Sequence, residues 1–200
     1  MDMDDTFLTL SRDSEGLYKE KGSKFLAFAY PVSDENEVKD KLEALRKKYY
    51  DARHHCYAYI LGKDKDNYRA NDDGEPNHSA GDPILGQIRS NELTNVLIVV
   101  IRYFGGTKLG VGGLITAYKT AAAEAISANE MVTEIVTQKI KFTFAYLDMN
   151  DVMRLIKEYD LEIKNQVFDN TCTMTIRVRE AYYEQVMERL REISSVNIAD

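Results

Sequence analysis

Val96-Leu97-Ile98-Val99-Val100-Ile101-Arg102-Tyr103-Phe104-Gly105-Gly106-Thr107-Lys108-Leu109-Gly110-Val111-Gly112-Gly113 is the stretch from which the fold is read. Its first third is apolar without alternation, as expected of a central strand covered on both faces. Its second half holds five glycines in nine positions. That density exceeds the need of one turn, since glycine permits positive φ and lets a backbone or a ligand come close. A long helix should follow, with Leu114, Ala117, Tyr118, Ala121, Ala125 and Ile126 turned inward. Its alanines imply a close approach of helix to sheet.

Upstream, Phe7 to Leu10 and Phe25 to Val32 read as strands, with a turn at Glu15-Gly16 and a basic loop at Lys21-Gly22-Ser23-Lys24. Ser33 or Asp34 should cap a helix striped by Val38, Leu42, Leu45 and Tyr49. His55, Tyr57, Tyr59 and Leu61 alternate with Cys56, Ala58 and Ile60 in a strand apolar on both sides. Asn67 to Asn77 is polar and reads as turns. Asp82-Pro83 should start a short helix, with Asp82 as cap and Ile84, Leu85 and Ile88 buried.

Downstream, the chain passes near Thr133 to Gln138 into a second domain, giving expected domains of 1–134 and 137–200. Ile140, Phe142 and Phe144 alternate with polar neighbours in a strand. Val152, Leu155, Ile156 and Tyr159 stripe a helix. Leu161, Ile163 and Val167 alternate again, Asp169-Asn170 turns, and Cys172, Met174, Ile176 and Val178 form the next strand. A helix bearing Tyr183, Val186, Met187, Leu190 and Ile193 precedes a short strand at Val196 and Ile198. The order is βαββαβ, a ferredoxin-like sandwich. Its open sheet face would carry Lys139, Lys141, Thr143, Thr171, Thr173, Thr175 and Arg177. Lacking stacking aromatics, that face reads as solvated rather than as a sequence-reading RNA platform.

The formal net charge is −7, which disfavours a sequence-blind coat for nucleic acid and leaves room for a local basic patch. Apolar runs are too short to span a bilayer and Met1 to Asp5 does not resemble a signal peptide. The two cysteines, Cys56 and Cys172, suggest neither a disulfide framework nor a ligand pair. A cytoplasmic protein without membrane contact is expected.

The glycine loop is the first candidate for chemistry. It ends at a helix start, where free amides and the macrodipole favour an anion, and Arg102 and Lys108 flank it. Gly105 and Gly110 have the Walker A spacing, but Val111 and Gly112 replace its Lys and Ser/Thr, and the dinucleotide fingerprint is absent. The plainer reading is a tight strand-to-helix connection with Arg102 in an ion pair. Asn71-Asp72-Asp73-Gly74-Glu75-Pro76-Asn77-His78 could supply oxygen ligands or a base, yet its spacing fits no calcium loop and it reads first as a turn. His54 and His55 should face opposite sides of their strand, with Cys56 on the His54 side. They read as structural residues rather than as part of a Cys-His nucleophile pair.

Together, Lys21-Gly22-Ser23-Lys24-Phe25, His54-His55-Cys56-Tyr57-Ala58-Tyr59, Asp72-Asp73-Gly74-Glu75-Pro76, Ala80-Gly81 with Pro83-Ile84-Leu85, and Val100 to Gly110 resemble the YigZ/IMPACT family, in the family's order. The resemblance implies a first domain like domain 2 of ribosomal protein S5 and an α+β chain overall. It also implies a link to translation. Eukaryotic relatives act by protein binding in control of an initiation-factor kinase. One departure stands out: after Pro76 the family has a small residue and then Gly-Thr-Ala-Gly, where this chain has Asn77-His78-Ser79-Ala80-Gly81.

The expectation is a translation-associated binding protein with no cofactor, no metal and no catalytic set, meeting the ribosome, RNA phosphate or a translation-related protein. Its expected contact residues are Lys21, Lys24, His55, Asp73, Glu75, Arg102, Tyr103, Gly105, Gly106, Lys108, Gly110, Gly112 and Gly113. The alternative is an enzyme or sensor for a phosphorylated small molecule, with the glycine loop on its phosphate. No oligomeric state is assigned.

Overall fold

A computed structural model describes residues 5–199. The chain divides into two compact units, one of Phe7–Glu134 and one of residues 135–199 joined by Asp5 and Thr6. The class is α+β, as the sequence implies. No helix among the described residues is long and apolar enough to cross a membrane.

In the first unit the chain runs β1 (Thr6–Leu10), β2 (Ser14–Glu20), β3 (Ser23–Pro31), α1 (Glu35–Lys48), β4 (His54–Leu61), β5 (Asn67–Asn71), α2 (Gly81–Ser90), β6 (Val96–Tyr103), α3 (Gly110–Ser127) and β7 (Met131–Ile135). β2 to β6 form an antiparallel sheet in the order β2-β3-β6-β4-β5, while β1 and β7 pair separately. β6 lies at the centre, and Val96 to Ile101 are all solvent-free. Ile98 and Val100 pack with α2 and α3, whereas Leu97, Val99 and Ile101 pack with α1. Helices on both faces explain why this strand has no polar side. Asp34 caps α1, its carboxylate accepting from the amides of Asn36 and Glu37.

Several local expectations are corrected. Gly16 is not in a turn but within β2. A Cβ there would lie 2.4 Å from the Ala125 nitrogen, so the glycine admits the backbone of α3 against the sheet. The basic loop shrinks to Lys21 and Gly22, both at positive φ in the β2–β3 hairpin, and Ser23 and Lys24 already belong to β3. Asn67 to Asn71 form an edge strand, and its exposure explains its polar composition. Asp82 does not cap α2, whose N-cap is Ala80. Asp72 takes that task, its Oδ1 accepting from the amides of Ala80 at 3.1 Å and Gly81 at 2.8 Å.

The second unit contains β8 (Thr137–Phe144), α4 (Met149–Glu158), β9 (Glu162–Phe168), β10 (Cys172–Arg179), α5 (Tyr183–Glu192) and β11 (Asn197–Ile198). The strand order β11-β8-β10-β9, all antiparallel, is ferredoxin-like. Phe142, Phe144, Met174 and Ile176 are fully buried with Val152, Val186 and Leu190. Lys141 pairs with Thr175 and Lys139 with Arg177 on the open face. Val167 does not follow Leu161 and Ile163 inward. The ladder with β10 shifts between Thr175 and Ile176, leaving Lys164 as an extra residue, and beyond this bulge the alternation reverses. Asp5 is tied to this unit: its carboxylate accepts from Arg179 at 2.6 and 2.7 Å and from the amide of Ala181. Arg179 holds the Asp5 carboxyl below its usual range.

A candidate anion-binding cleft in the first unit

Antiparallel register decides which side chains meet. His54 pairs with Arg102, and Arg102 with Phe25, across three adjacent strands. Arg102 has the parity of Val100, so it projects to the α3 side, whereas Tyr103 projects to the α1 side. β6 then ends in Phe104 to Leu109, which leads into α3. A cleft of about 660 Å³ opens where these ends meet the loop before α2. His54, Glu75, Arg102, Tyr103, Lys108 and Gly110 all contribute to its wall.

Arg102 is the core of the arrangement. Its Nη1 donates to Glu75 Oε1 at 2.6 Å, and the Tyr118 hydroxyl donates to the same oxygen at 2.8 Å. All three side chains are buried, Arg102 being 7% exposed. Its guanidinium lies over the ring of Phe25 at 5.7 Å and over that of Phe104 at 5.6 Å. Its Nε, also buried, has no hydrogen-bond partner among the described residues. The expected ion pair and the expected cleft position therefore coexist in one residue.

The acidic turn builds this site without converging on a cation. Asp72 holds the start of α2, Asp73 Oδ2 accepts from the amide of His55 at 2.7 Å, and Glu75 reaches Arg102. His54 Nδ1 donates to the Asp73 carbonyl at 2.8 Å, which leaves Nε2 facing Glu75 at 3.9 Å. Cys56 Sγ lies 3.0 Å from the Asp72 carbonyl and 3.4 Å from the Tyr118 hydroxyl. Burial pushes both that thiol and the Tyr118 phenol far up, so neither is a ready nucleophile. Tyr103 donates to Asp51 Oδ1 at 2.8 Å; burial, then that carboxylate, push its phenol up to about 12.

The glycines divide by role. A Cβ on Gly105 would lie 2.0 Å from the carbonyl carbon of Gly22, and the Gly105 amide donates to Ser23 Oγ at 3.0 Å. Gly105 therefore locks the loop onto the β2–β3 hairpin. Gly106 and Gly110 hold positive φ. Gly113 would bring a Cβ within 3.1 Å of Leu109, while a Cβ on Gly112 would meet nothing within 4 Å. The start of α3 has no side-chain cap and no acidic residue in its first turn. Its first amides lack intrahelical acceptors.

Of the residues expected at the site, Glu75, Arg102, Tyr103, Lys108 and Gly110 line the cleft, and Gly105, Gly106, Gly112 and Gly113 belong to the adjoining loop and first helical turn. Lys21 is exposed at the hairpin tip and Lys24 shares the Tyr103 side of the sheet. His55 is buried near α1, where its Nε2 donates to the Tyr49 carbonyl at 3.1 Å. Asp73 serves β4 from outside the cleft. Sequence reasoning missed His54 and Tyr118. The shared side of His54 and Cys56 was legible, but pairing of His54 with Arg102 needs the register.

The Impact N-terminal domain matches residues 21–126, the whole of the cleft included, and a domain of unknown function, DUF1949, matches residues 142–195. An IMPACT family member from Thermus thermophilus is 35% identical over 156 residues, 78% of this chain and 84% of that one. The Escherichia coli IMPACT family member YigZ is 28% identical over 87% of this chain and 86% of its own length. A crystal structure of a hypothetical protein, 25% identical, covers 97% of this chain with a TM-score of 0.74. With the Impact model over the cleft domain and a relative of 35% identity matched over most of its length, the chain belongs to the IMPACT family.

Proposed function

We propose that this chain is a translation-associated binding protein that meets its partner with the cleft of the first unit. The translation link follows from the family to which the chain belongs. The contact is with an anionic group, either an RNA phosphate or an acidic segment of a translation-related protein. One observation carries the reading: Arg102, which gives Nη1 to Glu75 and leaves its Nε without a partner among the described residues, lines a cleft with Lys108 and the uncapped start of α3. A guanidinium offers a forked set of donors, Lys108 a point charge, and the helix start a set of amides. Burial keeps the nearby thiol and phenol from serving as nucleophiles.

Ribosome co-sedimentation tests this. Wild type should sediment with ribosomes and Lys108→Glu should not, while the two share one thermal midpoint. If neither associates, the reading fails. A nuclease-treated arm separates an RNA contact from a protein contact. A second reading, recognition of a phosphorylated small molecule, is favoured by the depth at which Arg102 lies.

A further inference from the structure

We infer that the cleft receives a terminal phosphate, that of a 5′-phosphorylated nucleotide, and not the internal diesters of an RNA chain. The inference rests on the cleft being the partner site proposed above, and it names the chemistry that site reads.

Depth is the first argument. Arg102 is 7% exposed and its guanidinium is approached through the cleft that it lines. An internal phosphodiester carries a ribose on each side, which crowds its approach to a buried donor. A phosphomonoester at the end of a ligand can. The second argument is unmet donor capacity at that floor. Arg102 lines the cleft, and its buried Nε has no partner among the described residues. The carboxylates beside it are already engaged, Glu75 by Arg102 and Tyr118, Asp51 by Tyr103.

The third argument is the start of α3 on the same wall. No cap and no acid in the first turn leave its amides and dipole unanswered. Gly112 is not at positive φ, and a Cβ there would meet nothing within 4 Å. Its lack of a Cβ has no internal reason, and the residue follows directly on Gly110 and Val111, which line the cleft. The fourth argument identifies the rest of the ligand. Phe104 is 59% exposed and Val111 52%, an apolar lip above the cationic floor. An aromatic face held over a guanidinium is a shelf on which a base stacks. The volume of about 660 Å³ is ample for a nucleotide.

Calorimetric titration of the full chain tests this with adenosine, adenosine 5′-monophosphate, a short oligoadenylate bearing a 5′-phosphate, its 5′-hydroxyl counterpart and an oligoglutamate peptide. The 5′-phosphorylated oligomer should bind at least about tenfold more tightly than the 5′-hydroxyl one. Gly112→Glu should erase that preference without lowering the thermal midpoint, because an acid in the first turn suits the helix while repelling a phosphate. If adenosine 5′-monophosphate binds as tightly as the phosphorylated oligomer, the source is a free nucleotide; if only the oligomer binds, it is an RNA end. Either supports the inference. Equal affinity for the two oligomers overturns it, as does binding of the oligoglutamate alone. Absence of binding to any probe overturns it too. In these last cases the cleft reading still stands if wild type, and not Lys108→Glu, sediments with ribosomes; loss of that association as well removes both.

Discussion

The guanidinium of Arg102 meets the carboxylate of Glu75 at 2.6 Å beneath the cleft, and Tyr118 donates to the same oxygen from the middle of α3. The pair joins the end of β6 to the turn before α2. Two charges removed from water are costly singly and tolerable together. Arg102→Met should therefore destabilise the chain by about 3–5 kcal/mol in chemical denaturation, because it strands Glu75. The double variant Arg102→Met/Glu75→Leu should lose less than the sum of its singles. Additive losses would show that the two groups are not coupled.

His55 gives the chain an acid sensitivity unrelated to the cleft. Burial lowers its pKa from 6.5, against the pull of the Asp73 carboxylate 4.0 Å away. As pH falls through 6.5, the unfolded chain takes up a proton that the folded chain resists. Stability present above that pH is then lost as pH descends to the folded pKa. The thermal midpoint should drop between about pH 7.5 and about pH 5.5, and His55→Asn should flatten that part of the profile. An unchanged slope in the variant would assign the sensitivity elsewhere.

What was legible in the sequence follows from the range of the forces involved. The unbroken run Val96 to Ile101 announced a doubly covered strand, and the alanines of α3 announced close helix packing, because burial leaves a direct mark on composition. The alternation in the second domain gave its topology for the same reason. Gly16 misled because a glycine admitting a distant helix looks locally like a turn. Val167 misled because one bulge at Lys164 reverses every later side chain. At the site, Arg102 and Lys108 were visible as charges beside glycines. That His54, not His55, faces Arg102 depends on strand pairing, to which local pattern is blind.

His78 sits at a backbone conformation that favours glycine. It holds φ at +63°, and its amide donates to Asp72 Oδ2 at 2.9 Å. The loop thus keeps a glycine-like backbone under a histidine side chain, which itself reaches Asp82 at 2.6 Å. His78→Gly should leave stability within about 1 kcal/mol of wild type, the eased backbone offsetting the added chain entropy. His78→Val should cost about 1–2 kcal/mol, because a β-branched residue tolerates that conformation poorly. Equal midpoints for all three proteins would mean that the loop relaxes to another path.

Gly105 and Gly112 sit in one glycine-rich run and should respond in opposite ways to the same substitution. A methyl on Gly105 would fall 2.0 Å from the carbonyl carbon of Gly22 and 2.2 Å from the Ser23 nitrogen, both backbone atoms that cannot swing aside. Relief requires moving the loop off the hairpin, which also breaks the Gly105 amide to Ser23 Oγ bond. Gly105→Ala should cost about 1–3 kcal/mol or more in denaturant unfolding. Gly112→Ala meets open space in a helical turn, so its stability should hold or rise by up to about 1 kcal/mol, the ordinary gain of alanine over glycine in a helix. Architecture alone therefore accounts for Gly105 and not for Gly112. A loss of stability in Gly112→Ala comparable to that in Gly105→Ala would make the whole run a packing device and leave the cleft without its open amide cradle.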